Sequence, residues 1–218
     1  MGLVRLLQAT AVGLLAVGWT WASYRFGASN EPSDAAAALA IVPVLAAIMI
    51  FVWGRLPRWA ALLVLVLMTV AVAGIWPLMR SHVSWLYYLQ HIGIQLVLAS
   101  VFGRTLVGGG DALVTQMARK VHREPLSPLN VRYTRNVTRA WTIYFLGMAV
   151  VSTGLFVLAP LPIWSAFANL LSAPLVAFMF MGEYVCRLIF LPAHERPGLV
   201  EAIKAWRDHQ APLDERTG

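Results

Sequence analysis

Two sets of side chains in this sequence have the types and spacing to do chemistry, and both lie within apolar surroundings. The first is Ser84, Tyr88, His91 and Gln95, spaced by four, three and four residues, so that a helix carries them as one polar stripe. An imidazole on such a stripe can exchange a proton or hold a polar ligand. Counted from the ends of the neighbouring apolar blocks, Asn169 comes to a similar depth, with Ser152 and Thr153 slightly shallower. Tyr88, His91, Gln95 and Asn169 therefore form a candidate polar pocket. The alternative is an interhelical hydrogen-bond network that only holds helices together, each bond worth roughly 1 kcal/mol. No second His or carboxylate stands at matching depth, so no metal site is expected.

The second set is Glu183 with Arg187 four residues on, the favourable order for a helical ion pair. Arg135, Thr138 and Arg139 come to a nearby level on the preceding apolar block. Arg135, Arg139, Glu183 and Arg187 read either as a structural clamp between two helices or as a basic pocket for an anionic group, such as a lipid phosphate or an acyl carboxylate. No nucleophile or paired acid and base accompanies either set, so a catalytic residue is not assigned, and no cofactor is expected.

The elements that must position these residues are six apolar blocks, near 3–23, 36–53, 59–79, 84–102, 138–160 and 161–191. About 18 apolar residues suffice to cross a bilayer as a helix. The 218 residues are 59% hydrophobic and 12% charged, against roughly 25% charged in a soluble domain. The expected fold is all-α, a polytopic membrane bundle of six transmembrane helices forming one domain over 1–191. Arg5 before an apolar run also has the form of a signal peptide, but Trp21-Ala22-Ser23-Tyr24 is a poor cleavage site and a retained helix is expected. The single cysteine, Cys186, excludes an intrachain disulfide and reads as a small buried hydrophobe.

Charge sets the orientation. Of 17 Lys and Arg, only Arg25 and Arg80 fall outside if the N-terminus is cytoplasmic; the other fifteen lie inside. Both termini are then cytoplasmic. The net charge of +7 is not a nucleic-acid signal, because the basic residues sit at the ends of apolar blocks, where anionic inner-leaflet lipids attract them. Trp19, Trp21, Trp76, Trp85 and Trp164 at outer ends, and Trp53, Trp59 and Trp141 at inner ends, read as aromatic belts. On the first block, Ala9, Gly13, Ala16 and Thr20 form a small-residue face for close helix packing. Pro174 lets the long sixth block kink, or the block begins as an interfacial segment around Pro162 and Trp164.

The one sizeable loop, 103–137, is basic and cytoplasmic. Gly108-Gly109-Gly110 gives it a flexible start, and Asp111 is the expected N-cap of an amphipathic helix over 111–123 lying on the inner leaflet. Glu124-Pro125-Leu126-Ser127-Pro128 ends that helix. A second amphipathic segment, in the tail 192–218, starts at Pro197 and carries Leu199, Ile203 and Trp206 as a stripe.

The stretch Arg132-Tyr133-Thr134-Arg135-x-x-Thr138-x-x-Trp141, followed by a span and then Gly182-Glu183-Tyr184-x-x-Arg187, resembles an uncharacterised bacterial inner-membrane family. The resemblance covers approximately 85–191. Members of that family are encoded beside acyl carrier protein, ketosynthase and acyltransferase genes of aryl-polyene and related lipid clusters. The resemblance implies an inner-membrane accessory of acyl or polyene lipid synthesis or export, with an acyl carrier protein or acyltransferase as partner. It implies no activity that carries over. The expected function is such an accessory, meeting acidic partners or anionic lipids through its basic face without bond-making of its own. The alternatives are a small transporter or flippase using the His91 pocket, and an intramembrane lipid-modifying enzyme.

Overall fold

A computed structural model describes residues 2–29, 31–121 and 125–192. Every regular element among them is helical. Apolar runs of this length demand it, because hydrocarbon offers no partner to a backbone N–H or C=O, and a helix satisfies its own. The elements are α1 (Gly2–Gly27), α2 (Asp34–Trp53), α3 (Arg58–Ser81), α4 (Val83–Arg104), α5 (Leu113–Val121), α6 (Pro128–Leu158), α7 (Leu161–Ser165), a π-helical segment (Ala166–Leu171) and α8 (Ser172–Phe190). Among the described residues, five helices are long and apolar enough to cross a membrane: α2, α3, α4, α6 and the stretch Leu161–Phe190. The expected tail helix over 192–218 lies outside the described residues, as do His122, Arg123 and Glu124.

Local chemistry fixes the helix ends. Ser33 caps α2 by accepting from the Ala36 N–H (3.2 Å), and Asp34 places a negative charge in its first turn. Pro57 ends the turn between α2 and α3 and supplies the cap position of α3. α6 begins ten residues before its apolar block. Ser127 Oγ accepts from the Asn130 N–H (3.1 Å) and Pro128 takes the first helical position, where no N–H is needed. Ser127-Pro128 is thus the start of α6, as well as the stop after α5 that the sequence suggested.

The chain divides into two compact units, one formed by 1–93 and 150–174, the other by 94–149 and 175–218. In the first unit, Ala36, Ala40, Val83, Tyr87 and Trp164 form the core. The small faces of α2 bring its backbone within reach of other helices: Tyr87 Oη donates to Ala36 O (3.5 Å), and Gln90 Nε2 donates to Ala40 O. The expected small-residue face of α1 is not where α1 packs. Gly13 and Ala16 are exposed, and the close approach is at Gly27, where an added Cβ would fall 2.8 Å from Ser165 Oγ. A face of small residues permits close packing but does not itself supply a partner helix.

In the second unit, Ala99, Tyr133, Val137, Trp141, Phe145 and Leu191 form the core. Gly103 of α4 approaches α6 closely, its virtual Cβ lying 3.3 Å from Thr142 Cγ2. α5 docks on α6 through Thr115, which is fully buried. Asp111 is not its side-chain cap. The Asp111 carboxylate binds Arg119 (2.6 Å), while the first amides of α5 are satisfied by two threonines from elsewhere: Leu113 N–H donates to Thr105 Oγ1 (2.9 Å) and Val114 N–H to Thr138 Oγ1 (3.2 Å). The glycines before α5 form a defined turn. Gly108 and Gly109 have φ of 93° and 74°, a region open to glycine alone at low cost.

Three further expectations are corrected. Trp164 and Trp141 are core residues, 0% and 5% exposed, because each indole finds neighbours inside its own unit; Trp19, Trp21, Trp53, Trp59 and Trp85 do project outward. Cys186 is exposed. The last block also holds a π-helical segment, Ala166–Leu171, one turn before Pro174, whose ring lacks an N–H and crowds the preceding turn. Ser172 Oγ donates to Phe167 O (3.2 Å), satisfying a carbonyl of the widened turn.

Candidate functional site

The polar stripe of α4 faces protein. Ser84 and Gln95 are buried, and Tyr88 and His91 half-buried. Within the first unit Tyr88 is well held. Its hydroxyl bonds Thr153 Oγ1 (3.1 Å), and its ring stacks on Phe156 at 4.2 Å between centroids. Trp164 Nε1 donates to the buried Ser152 Oγ (3.0 Å). Thr153 is therefore brought to the stripe, while Ser152 is engaged by Trp164. Asn169 is turned elsewhere: its Nδ2 donates to Ser165 O (3.1 Å) and to Ser165 Oγ (3.2 Å), and Ser165 Oγ donates to Tyr24 O of α1 (2.8 Å). His91 lies edge-on to Phe167, 6.1 Å between centroids, and its buried Nε2 has no partner among the described residues. In the second unit, Gln95 Oε1 is likewise buried without a partner. The four expected pocket residues thus do not form one hydrogen-bonded set.

The second unit contains the ionic site. Glu183 and Arg187 pair as spaced, with Arg187 Nη2 and Nε at 2.7 and 3.1 Å from Glu183 Oε1. The third member is Tyr133 of α6. Its hydroxyl points at both Glu183 O (3.0 Å) and Glu183 Oε1 (3.2 Å), sharing one proton between two acceptors. Only 12% of the Glu183 side chain is exposed, a burial that a carboxylate tolerates when paired and hydrogen-bonded. Tyr133 stands in the quoted arginine-rich stretch, yet nothing in its spacing names a partner 50 residues away.

Arg135 and Arg139 have other partners. Arg135 donates to Leu106 O (2.8 Å) and Gly110 O (3.2 Å), clamping the turn that contains the two left-handed glycines. Arg139 bonds Asn136 Oδ1 (3.1 Å) and is exposed. The expected four-residue basic pocket is therefore a Tyr133–Glu183–Arg187 triad plus separate arginines. Backbone carbonyls carry no sequence mark, which is why the clamp was not legible.

Among the described residues of this unit, charge is unbalanced. Its described basic side chains are Arg104, Arg119, Lys120, Arg132, Arg135, Arg139 and Arg187. Its two described acids, Asp111 and Glu183, are taken by Arg119 and Arg187. Seven less two leaves five cations with no carboxylate partner among the described residues. Arg132, Arg135 and Arg139 recur at i, i+3 and i+7 on one face of α6. Along the same face, Ile143 and Leu146 are exposed apolar residues, so one helix surface passes from cationic to apolar. No protein family, curated protein or solved structure is found to match the chain.

Proposed function

We propose that this protein is an accessory of the bacterial inner membrane that supports synthesis or export of an acyl or polyene-type lipid. In this reading α1 also crosses the bilayer, giving six spans with both termini cytoplasmic. The cytoplasmic surface of the second unit then presents its cations to an acidic partner, an acyl carrier protein or its acyltransferase. The observation that carries the proposal is the set of five cations without a carboxylate partner among the described residues, three of them on one face of α6. Such an unbalanced field attracts an acidic surface and makes its capture salt-dependent. The resemblance of the Arg132–Trp141 and Gly182–Arg187 stretches supplies the lipid context.

Pull-down of the tagged protein from solubilised membranes at low salt tests this. Acyl carrier or acyltransferase proteins should be enriched, and lost on raising the salt or in the Arg132→Gln/Arg139→Gln double variant. No enrichment at low salt overturns the reading.

A second reading rests on His91. An imidazole nitrogen buried without a partner among the described residues is costly unless something polar visits it. A transporter or flippase for an amphipathic molecule would use it. His91→Ala should then abolish export at normal protein levels; unchanged export removes this reading.

A further inference from the structure

The triad in the second unit is lopsided. Arg187 Nε, Arg187 Nη2 and the Tyr133 hydroxyl all converge on Glu183 Oε1. A guanidinium and a carboxylate more often meet fork to fork, with both oxygens engaged. Here Glu183 Oε2 and Arg187 Nη1 have no partner among the described residues. Oε2 is not sealed in, and 31% of the Arg187 side chain is exposed. The site therefore leaves one carboxylate oxygen and one guanidinium N–H group unengaged on a partly exposed ion pair.

Its surroundings say what enters. On α8, Phe180, Glu183, Tyr184 and Arg187 share a face by their i, i+3, i+4 and i+7 spacing. Phe180 and Tyr184 on that face are exposed, 59% and 52%. Phe180 is braced by Trp141, 4.7 Å between ring centroids. The ion pair thus borders an exposed aromatic surface near the end of a stretch long enough to span a bilayer. A ligand that fits has a cation with N–H donors for Oε2, an anion for Nη1 and hydrocarbon for the aromatic face. We infer that the Tyr133–Glu183–Arg187 triad is a binding site for a zwitterionic phosphoethanolamine lipid. The ammonium donates to Glu183 Oε2, the phosphate accepts from Arg187 Nη1, and an acyl chain lies along Phe180 and Tyr184. Tyr133 is a positioning residue: by occupying Oε1 and the Glu183 carbonyl it turns Oε2 outward.

This site is distinct from the cationic face of α6, and so is its test. The full-length chain, purified in detergent, is examined by native mass spectrometry with phosphatidylethanolamine, phosphatidylcholine or phosphatidylglycerol of identical acyl chains. Phosphatidylcholine has the same charges but no N–H on its cation. The wild-type protein should retain phosphatidylethanolamine over phosphatidylcholine by about tenfold, the ratio that one charge-assisted hydrogen bond supports. Glu183→Gln should erase that preference while leaving phosphatidylglycerol retention unchanged. Arg132→Gln/Arg139→Gln should do the reverse. Equal retention of phosphatidylethanolamine and phosphatidylcholine by the wild-type protein overturns the inference without any variant, and assigns Oε2 to water. A preference that survives in folded Glu183→Gln protein overturns it as well.

Discussion

The two units solve one problem, polar groups in an apolar solvent, by different chemistry. The first relies on neutral pairs: indole to hydroxyl at Trp164–Ser152, hydroxyl to hydroxyl at Tyr88–Thr153, amide to backbone at Gln90–Ala40. The second relies on charge and on threonine. Arg187 and Tyr133 hold Glu183, Arg135 holds two carbonyls, and Thr105 and Thr138 cap α5. Neutral pairs cost little to desolvate; the first unit keeps its charges, such as the Arg80–Asp34 pair, at exposed positions. Ionic pairs need more donors to be tolerated, and any imbalance among them becomes a field that reaches beyond the protein. The unit with the buried ionic site and three arginines on one helix face is accordingly the one for which both a partner surface and a ligand site are proposed.

Mutation can break or sharpen that contrast. The largest effect is expected for Trp164→Ala in the first unit, which empties a fully buried indole site and orphans Ser152. The loss is about 3–5 kcal/mol, measured by thermal unfolding in detergent, and it should not respond to salt. A penalty that shrinks in salt would show that the first unit is not neutral in its energetics.

Next is Thr115→Val. Thr134 Oγ1 already faces the Asn130 and Val131 carbonyls, so Thr115 is the donor in the buried 2.8 Å Thr115–Thr134 bond. Removing it costs about 1–3 kcal/mol. The Thr115→Val/Thr134→Val double variant should cost less than the sum, because no hydroxyl is then left buried alone. Full additivity would mean that the two hydroxyls do not cooperate.

Arg135→Gln should lower stability by about 1 kcal/mol and speed amide exchange at 107–110 several-fold, with exchange in α3 unchanged. Uniform acceleration would deny that the clamp is local. The smallest effect belongs to Arg80→Gln in the first unit. The 3.6 Å Arg80–Asp34 pair is half exposed on both sides, and such pairs contribute about 0–1 kcal/mol. Trp76 Nε1 still donates to Asp34 Oδ1 (2.8 Å) without it.

Hydropathy made the helices legible because length and apolarity are what a bilayer selects. It misplaced the start of α6 because Asn130, Tyr133 and Thr134 are polar yet buried against protein; transfer scales read composition, and burial depends on neighbours. Trp164 and Trp141 were misjudged for the same reason. The Glu183–Arg187 pair was legible because four residues on a helix fix proximity. Tyr133 and the carbonyls held by Arg135 were not, since their partners are set by tertiary packing. The Thr153 contact with Tyr88 followed from depth along antiparallel blocks, while Asn169 shows that equal depth does not fix which way a side chain turns.

The length of α6 has a mechanical meaning. At 31 residues and 1.5 Å per residue it is roughly 46 Å long, against about 30 Å of hydrocarbon. The surplus, about three turns, is where Arg132, Arg135 and Arg139 sit. Those arginines are mounted on the end of a stiff rod, not on a slack loop. A partner of the kind proposed would pull on a lever, its grip felt as tilt along the rod instead of being absorbed at the point of contact.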